Sequence, residues 1–190
     1  MEVRELLNIL HVAERLKDEL RHCDTSGGRR ESVAEHSWRI SLMAMLLTDE
    51  FPELDMDKVI KMCLIHDLGE CFTGDIPTFL KTGSDEKKEN DALAAWVASL
   101  PAPYDTQLAA LYEEMDALQT QEAKLYKALD KLEAIIQHNE ADIQTWQPLE
   151  YDLNLTYADD AVAFSPYLRQ LREAIRDDTK AKIAAAQKSE

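Results

Sequence analysis

Residues 63–77, CLIHDLGECFTGDIP, set a histidine and an aspartate side by side at the end of an apolar run, with a glutamate following at position 70. Buried charge is costly unless it is paired or bound to a metal, so His66 and Asp67 require partners from elsewhere in the chain. One comes from SVAEHSWRISLMAMLL, where Val33, His36, Ile40, Met43 and Leu47 recur at steps of three and four and share a helical face. His36 therefore points with the core residues. In the next helix Val59, Met62, Cys63 and His66 do the same, and His66 takes the last inward position. A lone histidine on an apolar face is ordinarily a hydrogen-bonded core residue. Two of them, one followed at once by an aspartate, point to a shared ligand. Adjacent helical residues diverge by about 100°, so His66 and Asp67 cannot both point straight inward, but they can flank one ion with His36 as a third ligand. Two imidazoles and a carboxylate suit a first-row divalent metal.

A fourth ligand should be another carboxylate from a distant helix. Asp130, in AKLYKALDKLEAIIQH, lies to one side of a core face made by Leu125, Leu129, Leu132 and Ile136. On composition alone, a solvated surface aspartate is the simpler reading of it. Glu70 follows His66 at a spacing that, on a continuous helix, puts its carboxylate one turn (about 5.4 Å) along the same face. There it can serve as general acid or base for a water or a leaving oxygen; the alternative is a surface glutamate near a helix end. Asp75 follows Gly74 where the helix breaks, and by itself reads equally well as a turn residue. Arg21, Arg29 and Arg30 flank the Gly27-Gly28 turn. A guanidinium fork matches phosphate oxygens with two parallel donors, although adjacent loop arginines are also ordinary solvated charges. Trp38, Trp96 and Trp146 read as core or interface residues. His11 and His138 have no partners by spacing and read as structural.

The elements that must position these groups are helical. The 190 residues include only 5 glycines and 6 prolines, fewer than usual, which implies few turns. Periodicity near 3.6 runs through nearly every segment, with no convincing strand alternation. Helices are predicted over 3–20, from the Ser32–Glu35 capping box onward, from Asp55 or Asp57 to about CFTG, over 85–100, 105–118 and 120–138, and from Ser165. The stretch ADIQTWQPLEYDLNLTYADD is predicted to be a long, partly structured excursion. The expected fold is all-α: one domain, a bundle of six to eight helices. The length suffices to bury a core unaided.

The net charge of −16 argues against gripping a nucleic-acid polymer or an anionic membrane. It leaves room for a small phosphate ester, because local arginines and a metal can dominate one pocket. Cys23, Cys63 and Cys71 are odd in number and lack CxxC spacing, which reads as reduced thiols. No apolar run reaches the roughly 18 residues of a membrane span, and the N-terminus has helical rather than signal-peptide character. The expected location is cytoplasmic.

His36, His66-Asp67 and Asp130, set in ESVAEHSWR, CLIHDLGECFTGDIP and EAKLYKALDKLEAIIQ, resemble the H…HD…D signature of HD-domain metal-dependent phosphohydrolases. They are most similar to the branch containing the 5′-deoxynucleotidases. The resemblance covers about residues 15–140, with 150–190 as a helical extension of a single HD domain spanning 1–190. It implies His36, His66, Asp67 and Asp130 as the ligands of one divalent transition metal (Mn, Co, Zn, Fe or Ni). It also implies deoxynucleoside 5′-monophosphates as substrates and a homodimer as the assembly. The loop Asp75, Ile76, Pro77 and Thr78 would line the sugar and phosphate pocket. Glu70 and Asp75 would act in catalysis or hold a second, weaker magnesium ion. Arg21 precedes His36 by fifteen residues and matches the family's phosphate-orienting arginine. His22 stands where the better-known bacterial members carry tryptophan, a departure that leaves the exact substrate open. No histidine falls between His66 and His138, which favours a single transition-metal site. The alternatives are an HD phosphohydrolase acting on a nucleoside triphosphate or cyclic phosphodiester, and a non-catalytic, metal-stabilised helical dimer.

Overall fold

The computed structural model describes residues 1–188. Among them, nine α-helical segments and one two-stranded sheet occur. The chain opens with α1 (Val3–Ala13) and a 3₁₀ turn (Glu14–Lys17), followed by the strands β1 (Leu20–Asp24) and β2 (Arg30–Ser32). Then come α2 (Val33–Leu46), α3 (Met56–Ile65), a single turn α4 (Glu70–Thr73), α5 (Gly83–Ala98) and α6 (Tyr104–Ala117). The last are α7 (Gln121–Glu140), α8 (Glu150–Thr156) and α9 (Pro166–Gln187). The all-α expectation holds, apart from the hairpin.

The centre of the molecule is the packing of α2 against α3 and α7, with α9 against the outer side of α7. The α2, α3 and α7 helices present nearly the faces their spacing anticipates, except that Met43 and Ile136 are only partly buried and Ala44 and Ile135 take the inner positions. Val33, His36, Ile40 and Ala44 of α2, Val59, Met62 and Cys63 of α3, and Leu125, Leu129, Leu132 and Ile135 of α7 are all fully buried. The start of α2 is fixed by the reciprocal cap between Ser32 and Glu35. Arg172 of α9 is buried and donates to the carbonyls of Tyr157 and Asn154, so α9 holds the C-terminal end of α8 in place. The 141–160 stretch is partly structured as expected, carrying a 3₁₀ turn at Ile143–Thr145 and α8.

Two local departures from the sequence reading matter. The first helix was expected to reach Leu20, but it ends at Ala13 because the following backbone is drawn into sheet pairing. Leu20 pairs with Ser32 and Asp24 with Arg30 in antiparallel register, and the Val33 amide donates to the Glu19 carbonyl at 3.0 Å. Strands of five and three residues are too short to display alternation. The third helix was expected to run unbroken through the HD pair, but α3 stops at Ile65 with His66 as its C-cap. From there the backbone tightens into i→i−3 bonds: Leu68 to Ile65 at 3.0 Å, Glu70 to Asp67 at 3.0 Å and Cys71 to Leu68 at 3.2 Å. In such 3₁₀ geometry side chains three apart eclipse. Glu70 is thereby set over Asp67, not stacked one turn beyond His66. Trp38, expected in the core or an interface, is 62% exposed in this chain.

The central packing sets a stability test. Leu129→Ala removes a fully buried side chain and should cost about 2–5 kcal/mol in urea unfolding. Leu64→Ala, at a 56% exposed position, should change stability by no more than about 0.5 kcal/mol.

Candidate functional site

His36 comes from the first turns of α2, His66 and Asp67 from the α3 break, and Asp130 from the middle of α7. The packing of those three helices brings the four side chains together. His36 Nε2 is 3.1 Å from Asp130 Oδ1 and 4.0 Å from Asp67 Oδ2. His66 Nε2 is 2.9 Å from Asp67 Oδ2 and 3.7 Å from Asp130 Oδ1. One ligand atom from each of His36, His66 and Asp67 falls within 4.8 Å of the others.

Both imidazoles are held by their other nitrogen. His66 Nδ1 donates to the Cys63 carbonyl at 2.9 Å, and His36 Nδ1 is bonded to the fully buried Glu133 carboxylate. Such contacts fix the tautomer and aim Nε2 into the site. Lys127 holds Asp130 Oδ2 at 2.8 Å, which leaves Oδ1 toward the histidines. His66 Nε2 is buried and makes no hydrogen bond. An orphaned imidazole nitrogen among two carboxylates and a second imidazole is the donor set expected of a divalent transition ion, so the residues fit such a group.

The electrostatics agree. Burial alone would depress the His66 pKa, yet Asp67 and Asp130 outweigh it and raise it to about 10. Burial alone would raise Asp67, yet His66 beside it holds it down at about 2. Asp130 is likewise kept well below the usual carboxylate range, its burial overcome by Lys127 and the two histidines. The carboxylates stay ionised and demand positive charge at their centre.

A cavity of about 530 Å³ opens directly above this cluster. Asp67 and Asp130 lie in its wall, together with Arg21, Glu70, Asp75, Ile76, Pro77 and Thr78. Arg21 Nε is 3.1 Å from the buried Glu31 and its Nη1 is 3.8 Å from Asp67, so the guanidinium is braced at the cavity edge. Burial first, then the Asp67 and Asp75 carboxylates, push the Glu70 carboxyl up to about 10. Glu70 Oε2 is buried without a hydrogen bond. Asp75 is also raised, by burial chiefly, although Arg21 acts against it.

Some sequence readings do not reach the site. Arg29 pairs with Glu35 at 2.5 Å and Arg30 with Asp24 at 3.3 Å, both at the exposed hairpin end and away from the cavity wall. Other residues are in the site unannounced. Glu133 is the carboxylate that orients His36; its signal was present, since it shares the α7 core face with Leu129 and Ile136. His138, read as structural, lines the cavity with His22 and Glu150; spacing gives no sign of three residues so distant in sequence.

The chain matches the HD domain family over residues 13–172. It is 32% identical over 161 residues to the 5′-deoxynucleotidase HDDC2 of Homo sapiens, covering 83% of this chain and 77% of that protein. The corresponding Mus musculus protein is 33% identical over 159 residues, with coverage of 82% and 78%. A crystal structure described as a predicted metal-dependent phosphohydrolase from Magnetospirillum magnetotacticum MS-1 superposes with a TM-score of 0.79 at 29% identity. It covers 95% of this chain and 93% of that one.

The Asp75 loop leaves the HD break through Gly74, at φ +78° and ψ 164°, a region that is essentially glycine-only. A Cβ there would also lie 3.2 Å from Glu19 Oε2. Gly74→Ala should therefore destabilise the protein by about 1–3 kcal/mol, read as a lowered denaturant midpoint.

Proposed function

The chain belongs to the HD-domain family, and on that premise we propose that it is a divalent-metal-dependent phosphomonoesterase that hydrolyses deoxynucleoside 5′-monophosphates to deoxynucleoside and phosphate. The observation that carries this reading is the convergence of His36, His66, Asp67 and Asp130 beside a cavity whose wall holds Asp67, Asp130, Arg21 and Glu70. The 5′-deoxynucleotidases that resemble the chain over most of its length support the substrate class.

His36, His66, Asp67 and Asp130 would hold one catalytic transition ion. When bound, such an ion polarises a phosphoryl oxygen and lowers the pKa of water in the site. The chain's own residues do the remainder. Arg21, braced by Glu31, offers its outer donors to the phosphate oxygens and orients the ester. Glu70 holds a proton at neutral pH because it is buried beside two other carboxylates, and it delivers that proton to the departing 5′-oxygen. Asp75, Ile76, Pro77 and Thr78 enclose the sugar side. In place of that acid role, Glu70 and Asp75 in their ionised forms would hold a second, weaker magnesium ion.

The whole chain, 1–190, is taken as a single HD domain and its assembly as a homodimer. Among the described residues, α1 buries none of its side chains, and Val3, Leu6, Leu7 and Leu10 are between 45% and 76% exposed, as a helix awaiting a partner would be. No helix of the described residues is long and apolar enough to cross a membrane. Cys23, Cys63 and Cys71 are all free thiols, which fits a reducing, cytoplasmic compartment.

Phosphate release from deoxynucleoside 5′-monophosphates should vanish with chelator and return with manganese or cobalt. Glu70→Gln should lower kcat by about 10²–10⁴-fold, and Asp67→Ala should abolish turnover and lose the ion held with His36, His66 and Asp130. Chelator-resistant turnover, or a preference for any triphosphate or cyclic phosphodiester in a substrate panel, would overturn the reading. Light scattering should return twice the chain mass, and Leu6→Glu with Leu10→Glu should return the mass of one chain.

A further inference from the structure

At the other side of the same cavity, three chain-distant side chains meet that the reaction described above does not use. They are His22 of β1, His138 in the last turn of α7 and Glu150 at the start of α8. His22 Nε2 is bonded to Glu150 Oε1, and His138 Nε2 lies 3.6 Å from the same oxygen. The two imidazole rings sit 5.2 Å apart, centroid to centroid. One ligand atom from each residue lies within 4.8 Å of the other two.

We propose that His22, His138 and Glu150 form a second divalent-metal site, separate from the His36, His66, Asp67 and Asp130 cluster, that takes a first-row transition ion through two imidazole nitrogens and one carboxylate oxygen.

The distances distinguish an ion site from a simple hydrogen-bonded cluster. An N–H···O bond closes to about 2.9 Å, yet His138 Nε2 stands off at 3.6 Å although nothing else takes its bond. No hydrogen bond to either nitrogen of the His138 ring occurs among the described residues. Metal bonds of about 2.0–2.1 Å in a tetrahedral shell set ligand atoms roughly 3.3 Å apart. The His138–Glu150 spacing is already near that value. The closer His22–Glu150 pair opens to it once the bridging proton is replaced by an ion.

The site is also built to hold its geometry. Glu150 is 1% exposed, and its second oxygen accepts from the Gln147 amide at 2.7 Å, so only Oε1 is presented. His138 is fixed from behind by Trp146, whose indole N–H donates to the His138 carbonyl at 2.9 Å and whose ring packs edge-on to the imidazole at 6.0 Å. His22 is half-buried, with its ring edge-on to Phe79 at 5.3 Å. Three protein ligands leave one position of a tetrahedral ion free. Because all three residues line the cavity, that position faces the space where a substrate would lie. His2Glu with an open position is a donor set that binds zinc, cobalt or manganese.

The test is a count of bound ions. The full chain is equilibrated with cobalt(II), freed of unbound ion, and analysed for cobalt per chain. His22→Ala and Glu150→Gln should each bind one ion fewer than the unaltered chain. The double variant His36→Ala/His66→Ala, which removes both imidazoles of the other cluster, should keep an ion whose X-ray absorption shows imidazole ligation. Circular dichroism melts show whether each variant remains folded. Because the double variant leaves the new site intact and no imidazole in the other cluster, it decides the question even if the other two variants unfold. A cobalt count unchanged in folded His22→Ala or Glu150→Gln, or no imidazole-ligated cobalt in the double variant, would overturn the proposal. Failure of the primary ion reading has a different signature: a count unchanged by the double variant.

Discussion

The fold encloses carboxylates that, once out of water, only positive charge can hold in place. Asp67 and Asp130 stay ionised although buried, and Glu133 stands fully buried behind His36. Ionised carboxylates removed from water are held only by compensating charge. Lys127 and Arg21 supply part of it at the edges. At the centre, with only protons to draw on, the two imidazoles are forced toward their cationic forms. A divalent ion meets the same demand with two charges at one point and frees both nitrogens to act as ligands.

The fold can be understood as the means of holding that cluster. The α2, α3 and α7 helices pack through continuous apolar faces, and each carries its functional residue at the edge of its face. The α3 helix ends just where His66 and Asp67 must both reach inward, which a regular helix would not permit. The 3₁₀ turns that follow are supported by Gly69, where a Cβ would sit 2.8 Å from Glu89 Cγ, and by the Tyr112 hydroxyl, which donates to the Ile65 carbonyl at 2.7 Å. They bring Glu70 over Asp67, and the mutual repulsion of those carboxylates is part of what keeps a proton on Glu70. The acid role proposed for Glu70 thus rests on a backbone irregularity.

The sequence made much of this legible where a periodic pattern carried it. The inward position of His36 followed from its spacing to Val33 and Ile40, and His66 from its place after Met62 and Cys63. The central bundle followed from the same faces. Asp130 was a candidate by position, and resemblance separated it from an ordinary surface aspartate. What periodicity could not express was missed. The β1–β2 hairpin is too short to alternate. The helix break at His66 is supported by Tyr112 and by the close approach of Gly69 to Glu89, contacts distant in sequence. Glu133 was visible as a carboxylate on an apolar face and went unread. The meeting of His22, His138 and Glu150 needs α8 docked in place, in part through Arg172 of α9, which no local pattern encodes.

In the proposed site, two imidazoles and two carboxylates from three helices surround one cation. An anomalous-difference map from crystals grown with manganese examines this directly. A peak is expected, bonded to His36 Nε2, His66 Nε2, Asp67 and Asp130, with part of its coordination open toward Glu70. A map with no peak there, or a peak that Asp130 does not ligate, would contradict that arrangement.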